Sequence, residues 1–523
     1  MADPIPVELP PGFYGNGNPY NAAGRFATGN LVRFLNGYVR PLGAWRRRKD
    51  QLGANLPALF ADASIESARN IIQWQDNSGG AHIVVGSNRG LYEISQSGTV
   101  TNITPVGFVA GNKDTQEIVG YGVGKYGREA YGTARSGLGF MLKQVASWSF
   151  SLFGEVLLAQ FRGTGPLYRW GPGVDVKAVP VANAPANAQA VLVTAERIVM
   201  LIWEEPRKVQ WSDRESMTSW TPTVSNSAGD QTLSGTGKLV ELRQVGREIL
   251  INSTSDAWVG RFLGAPFVYG FESAGNGCGS AAPNSTVVAG GRAYWLHRGG
   301  FWTYDGTVHK LPCDVDDWLR EVVSFQQLTK TYGFELPMGR EVWWFFQSTE
   351  GDDCDKYVAF NYEDNTWVYG SWDRTTGMGP SPANQPVYVS NAGHLYDHEV
   401  AGLNMPAGYQ DFAETGPLEI AGGGQIMGVQ FIYPDLVPEA SASQALMSLK
   451  AAPGPDTSAL LEIIGKDWPS PNEPERTYGP YTLDRPIPTT GVRGREIRLR
   501  YKGTGPRWRG GKQRMVVVGL GER

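Results

Sequence analysis

Apolar residues along this chain fall in short runs, paired across tight turns. Each pair has an apolar strand, a brief turn, then a second strand carrying an aromatic near Gly or Asp. His82-Ile-Val-Val-Gly leads to Gly90-Leu-Tyr-Glu-Ile94, and Glu155-Val-Leu-Leu-Ala to Gly165-Pro-Leu-Tyr-Arg-Trp170. Arg197-Ile-Val-Met-Leu leads to Lys208-Val-Gln-Trp-Ser212, and Arg247-Glu-Ile-Leu-Ile to Asp256-Ala-Trp-Val259. Arg292-Ala-Tyr-Trp-Leu, Glu341-Val-Trp-Trp-Phe-Phe and Val387-Tyr-Val-Ser begin the remaining copies. The markers Trp211, Trp258 and Tyr304 are spaced 47 and 46 residues apart. That is the period of propeller blades, whose four-stranded sheets bury both faces only by stacking radially. The expected fold is all-β: a propeller of about six to eight blades over residues 51–400.

Two stretches break the period. Tyr92 and Tyr168 are 76 residues apart, which places an insertion near 106–146. It holds a pentapeptide repeated three times, opening at Tyr121, Tyr126 and Tyr131, each followed by Gly. So much glycine disfavours helix and suits an exposed loop. The second break comes near Ala401. Beyond it, Arg495-Glu-Ile-Arg-Leu-Arg-Tyr501 alternates, with Ile497, Leu499 and Tyr501 on one face and Arg498 and Arg500 on the other. That is an antiparallel strand with one wet face, so 401–523 reads as a β-sandwich domain. Residues 1–50 read as an N-terminal arm with a first strand. One helix is expected, Asp314 to Phe325, with Asp314 as its cap.

Composition sharpens this picture. The 523 residues include 67 Gly and 17 Trp, which suits many short strands and tight turns and does not suit disorder. Net charge is −4, which does not suggest a general nucleic-acid or membrane-surface binder. Cys278, Cys313 and Cys354 are too few and too scattered for a disulfide framework or a zinc site. No apolar run is long enough to span a membrane. The opening Met1-Ala-Asp-Pro-Ile-Pro-Val lacks a basic-then-apolar leader pattern, so export by an N-terminal signal is not expected.

Candidate chemistry is thin. Gly122-Val-Gly-Lys-Tyr-Gly127 matches a dinucleotide fingerprint, but inside the Tyr-Gly repeat it lacks the strand and helix that give the fingerprint meaning. His394 and His398 have metal spacing only on a helix; next to a hairpin they read as ordinary loop residues. Asp352, Asp353 and Asp355 have hard-oxygen chemistry suited to calcium, yet they join two strong strands and read as a charged turn. His82, His297 and His309 stand alone. No nucleophile elbow, phosphate loop or zincin motif occurs. No catalytic residue, cofactor or metal site is assigned, and the chain is expected not to be an enzyme. The alternative is a polysaccharide-degrading or carbohydrate-binding propeller, with carboxylates drawn from distant blades. Two basic clusters, Arg46, Arg47 and Arg48, and Arg507 with Arg509, are candidates for phosphate or subunit contacts.

Some segments resemble a family. Leu9-Pro-Pro-Gly-Phe-Tyr-Gly-Asn-Gly, and Gly29-Asn-Leu-Val-Arg-Phe-Leu-Asn-Gly-Tyr-Val-Arg-Pro-Leu-Gly-Ala-Trp45, look like the opening of tail proteins from short-tailed bacteriophages. Val209-Gln-Trp-Ser212, Gly299-Gly-Phe-Trp-Thr-Tyr-Asp-Gly306, Arg493-Gly-Arg-Glu-Ile-Arg-Leu and the closing Gly519-Leu-Gly-Glu-Arg523 resemble the same group. The resemblance implies a tail nozzle or hub protein: a homohexameric ring under the tail adaptor ring, touching tail fibres or tail-tip proteins. DNA would pass through its channel without sequence-specific binding. It implies a virion protein made in the host cytoplasm, with no catalytic residues. The Tyr121, Tyr126 and Tyr131 loop is then expected at the channel mouth or a subunit contact.

Overall fold

The structure, a computed structural model, describes residues 3–117, 142–382, 384–400, 403–418, 425–438, 459–467, 474–481, 487–489, 491–503 and 508–521. Seven four-stranded antiparallel sheets follow one another: blade one spans 68–102, two 148–180, three 190–232, four 239–276, five 287–311, six 332–371 and seven 376–400. The inner strand of each blade lies beside the inner strand of the next, and that of blade seven beside that of blade one. The molecule is therefore a closed seven-bladed propeller. Each sequence copy corresponds to the second and third strands of one blade. These strands are buried on both faces, as in Val199–Ile202 and Glu341–Gln347, so they are the most apolar.

The core lies in slabs between neighbouring blades. Ile249 and Ile251 of blade four pack with Met200 and Val209 of blade three, and Trp295 of blade five packs with Val259 of blade four. Blade seven has only three strands of its own. Its outer strand is Ala44–Arg47, from the other end of the chain, with Arg47 opposite Tyr396 and Ala44 opposite Val400. Trp45 anchors this strand. It is 3% exposed and packs on Trp372, with ring centres 4.6 Å apart, and on Tyr409 at 4.8 Å.

Three further sheets form the second unit. Ile5–Val7 pairs with Gln513–Gly519, which pairs with Met427–Tyr433. Phe26–Asn30 pairs with Phe412–Thr415, next to Glu496–Gly503 and Ala459–Lys466. Val32–Leu35 and Tyr38–Pro41 form a hairpin that meets Trp508–Gly510. The residues before position 50, read above as an arm with a first strand, contribute five strands. They supply strands to the C-terminal sheets and close the propeller. Their runs are three to five residues long, too short for alternation to reveal partner strands in the C-terminal half of the chain. Ile497, Leu499 and Tyr501 are buried as expected, and Arg498 and Arg500 face carboxylates on the wet side. The helix is shorter than expected, Asp316–Val322, and Val315 at its cap makes no side-chain hydrogen bond.

One hydrophobic core runs from blades five and six into these sheets. A buried ion group joins the two units across it. Arg33, on the hairpin, lies 3.3 Å from Glu341 of blade six and 2.6 Å from Glu399 of blade seven. Glu399 takes φ of 55°, the left-handed region, at a register shift in its strand, which turns its carboxylate toward Arg33. Burial pushes Glu341 up from the usual carboxylate range, and Arg33 only partly offsets it.

Replacing Trp45 removes the largest contact of the closing strand. Trp45→Ala should cost about 3–5 kcal/mol in chemical denaturation, in the range for large aromatic truncations in a core, and should raise protease sensitivity within blade seven first.

Candidate functional site: the face that carries the insertion

Strands of a blade run back and forth, so its loops fall on two faces. Loops entering inner strands, and those joining second to third strands, share one face. The insertion after blade one leaves from that face. Its described feet, Gln116–Glu117 and Leu142–Lys143, pair as a two-stranded ribbon.

The approach to the ribbon is bolted to two blades. Arg69, in the inner strand of blade one, donates from both terminal nitrogens to Asp353 of blade six, at 2.7 and 2.9 Å. Ser67 adds a hydrogen bond to the same carboxylate at 2.8 Å. Arg69 also donates to the Lys113 carbonyl at 2.8 Å. Lys330, fully buried where the chain enters blade six, donates to Asp114 at 2.5 Å and to Gln347 at 2.6 Å. The Gln327 side chain exchanges two hydrogen bonds with the Thr115 backbone, at 2.9 and 3.1 Å. Burial alone would raise the Asp353 pKa, but Arg69 and Lys330 overcome it and hold the carboxyl down at about 2. Asp353 stays charged because its partners are built in.

A second buried cation ties the other blades on this face. Arg162, in the turn between the second and third strands of blade two, donates to the carbonyls of Gln189, Val240 and Pro283 and to the Asn284 side chain, at 2.7–3.0 Å. Asn284 donates onward to Ser147 at 3.0 Å and to the Arg69 carbonyl at 3.3 Å. Burial with neutral acceptors pushes Arg162 down to about 9, with Glu241 only partly offsetting it. Blades one to six are thus linked by polar groups converging beneath the insertion.

The sequence candidates are distributed differently. Tyr121, Tyr126 and Tyr131 lie outside the described residues, as does Arg507. Arg46, Arg47 and Arg48 form the closing strand of blade seven and its continuation. Arg48 bonds Asp397 at 2.8 Å, Arg47 the Leu56 carbonyl at 2.7 Å, and Arg46 lies 3.9 Å from Asp397. Arg509 stacks over the Tyr38 ring at 5.6 Å. Arg48 and Leu56 belong to the segment entering the inner strand of blade one, so the first cluster meets the insertion face with its arginines already paired, whereas Arg509 lies in the second unit.

Two expectations need correcting. Asp353 is not a solvated turn residue but the buried partner of Arg69, 284 residues away. His398 is not a loop residue. It is buried against Tyr388, Trp372 and Trp45, and burial with the nearby Arg374 pushes its pKa well down. Sequence reading also missed the environment of His82, whose ring nitrogens lie 3.2 Å from Asp76 and 3.1 Å from Glu93. Glu93, eleven residues on, alternates in phase with His82 across the hairpin, a spacing that could have revealed the pair. A cleft of about 430 Å³ opens beside the short helix, lined by Asn16, Phe301, Lys310, Cys313, Asp316 and Asp317. Asp316 is held by Arg320 at 2.9 Å, and Asp317 accepts from the Gly17 amide at 2.8 Å.

No protein-family model and no curated protein matches the sequence. Solved structures do share the fold. Virginiamycin B lyase from Staphylococcus aureus is 7% identical, with 66% of this chain and 98% of that chain covered and a TM-score of 0.42. YCF48 from Cyanidioschyzon merolae is 8% identical over 68% and 98%, with a TM-score of 0.37. A fungal alcohol oxidase in complex with copper is 11% identical over 88% and 92%, with a TM-score of 0.42. At this distance they share the fold alone. The expectation that the chain is not an enzyme is corrected by them: the fold's solved members include a lyase and an oxidase, so missing motifs do not exclude catalysis. Among the described residues, no helix is long and apolar enough to cross a membrane.

The Asp353 pair gives a signed pH effect. Its folded pKa, about 2, lies below the ordinary 3.8. Its contribution is therefore complete above about pH 4 and is lost as pH falls toward 2. Asp353→Asn should cost about 3–5 kcal/mol at neutral pH, because Arg69 is left buried without a counter-charge. The gap to the unchanged protein should narrow by about 2 kcal/mol between pH 4 and 2, read from denaturant midpoints at each pH.

Proposed function

We propose that this chain is a structural component of a short-tailed bacteriophage virion, the nozzle of its tail. Six copies form a ring beneath the tail adaptor ring, and DNA is held in and released through the central channel. The observation that carries this reading is the N-terminal stretch resembling such tail proteins. Its strands lie at the junction of propeller and sandwich, where they complete both units. A family signature is expected to persist in a segment that the whole architecture depends on.

Electrostatics are compatible with the role. A channel that lets DNA slide must not neutralise many phosphates, because each such contact adds counter-ion release to binding. The most basic described strand, Glu496–Gly503, has its outward arginines occupied: Arg498 by Glu414 and Glu475, Arg500 by Glu414 and Glu462. The bolted insertion suits the role as well. Its anchored base, residues 113–117 with Leu142–Lys143, is a rigid footing for a contact at a channel mouth or with a neighbouring subunit.

Electron microscopy of the purified full chain under virion-like conditions should show rings with a central hole. Particles of a single copy that bind or cleave surface polysaccharide would overturn the reading. Deleting residues 118–141 should leave the unfolding midpoint unchanged and impair ring formation or tail assembly. A deletion that unfolds the propeller would place that segment in the core.

A further inference from the structure

The seam of the propeller holds a buried histidine set against an arginine. His398 lies in the third strand of blade seven and is 1% exposed. Tyr388, on the second strand, stacks on it with ring centres 3.9 Å apart. Trp372, just past blade six, meets it edge-on at 4.7 Å, and Trp45 of the closing strand stacks at 5.7 Å. Arg374, also 1% exposed, donates from Nε to His398 Nε2 at 3.3 Å. That hydrogen bond makes Nε2 the acceptor and leaves the proton of the neutral ring on Nδ1.

An imidazolium here would point a second donor and a second positive charge at Arg374. Among the described residues, the carboxylates around it are committed elsewhere. Asp373 accepts from Arg374 at 3.0 Å and from the Tyr409 hydroxyl at 2.8 Å. Asp397 is held by Arg48, and Glu399 by Arg33 and the Gly43 amide. Glu341 of blade six, which acts on Tyr388, pairs with Arg33. The closing strand brings two more cations, Arg46 and Arg47, and His394 in the turn of blade seven faces Arg47. The aromatic faces that could receive another cation, Trp45, Trp372 and Tyr396, already face the Arg374 guanidinium at 5.6, 5.0 and 4.6 Å. Burial and Arg374 accordingly push the His398 pKa well below its ordinary value.

The closing strand is the weakest cover over this histidine. Ala44–Arg47 is four residues long and pairs with Leu395–Val400 across a register shift, whereas blades two to five each draw four strands from continuous chain. Elements with few partners open before the whole molecule does. A proton that binds His398 only in the open form favours opening as its concentration rises. We propose that the seam is an acid-sensitive latch: a proton on His398, opposed by Arg374, releases Ala44–Arg47 from blade seven and unfastens the join between blades seven and one. The latch lies within one chain and stands whether or not copies assemble.

Hydrogen exchange of the full chain, read by mass spectrometry and corrected for its intrinsic pH dependence, measures opening segment by segment. From about pH 6.5 down to about pH 4.5, the opening constant at 44–47 and 395–400 should rise about fiftyfold, approaching about tenfold per pH unit, with blades two to five unchanged. That window lies above the one in which Asp353 titrates. His398→Gln keeps an acceptor for Arg374 and takes no proton, so its seam should open equally at both ends of the window. Arg374→Gln removes the opposing charge and should flatten the rise, while His394→Gln should leave it in place. Denaturant midpoints at neutral pH establish that each variant folds. The exchange pattern of the unchanged protein needs no variant: a seam that opens equally at both ends of the window overturns the proposal, as do blades two to five opening with it. A full rise in His398→Gln overturns it too.

Discussion

A circle of sheets carries two open edges until something joins them. In this protein the joint is one short strand, Ala44–Arg47, laid against the last blade and fixed by Trp45. The inner strands on either side of the seam, Thr376–Met378 and Ala68–Gln75, are brought together by that closure. The same N-terminal segment continues backward into the second unit, so its sheets are seated against blades six and seven by the joint itself. Arg33 then fills the gap between Glu341 and Glu399. Hydrophobic slabs would hold neighbouring blades together in any case; only the closing strand makes the arrangement a ring with one defined partner sheet.

What could be read from the residues followed burial. The second and third strands of each blade are apolar on both faces, so all seven pairs stood out, as did the spacing near 46 residues. Inner strands mix polar and apolar positions, as in Trp148-Ser-Phe-Ser-Leu-Phe153, and outer strands are as short as two residues. Neither carries a pattern strong enough to recognise alone. The N-terminal strands were illegible as sandwich members for another reason: their partners lie hundreds of residues away, and pairing at that range leaves no local trace.

Polar groups showed the same limit more sharply. The Asp352, Asp353 and Asp355 cluster has the composition of a solvated turn, and only the approach of Arg69 from another blade turns one of its members into a buried anion. Arg162 lies beside a Gly-Thr-Gly turn and looks like any surface arginine until its four acceptors are seen around it. His398 follows a hairpin, yet the strand that covers it comes from the far end of the chain. In each case the residue type was visible and the environment was not, because the environment is assembled from several blades.

The borrowed strand also sets an order in time. Ala44–Arg47 precedes every blade in the chain, but the strands it joins end at Val400, and the sheets its neighbours enter are completed only by Gln513–Gly519. Blades two to five can form as they emerge, each from contiguous chain. Closure must wait until the strand ending at Val400 has been made, with Ala44–Arg47 unpaired and its edge open until then. A nascent chain of this protein therefore carries the propeller's seal ahead of all seven blades and cannot apply it until the seventh has been made.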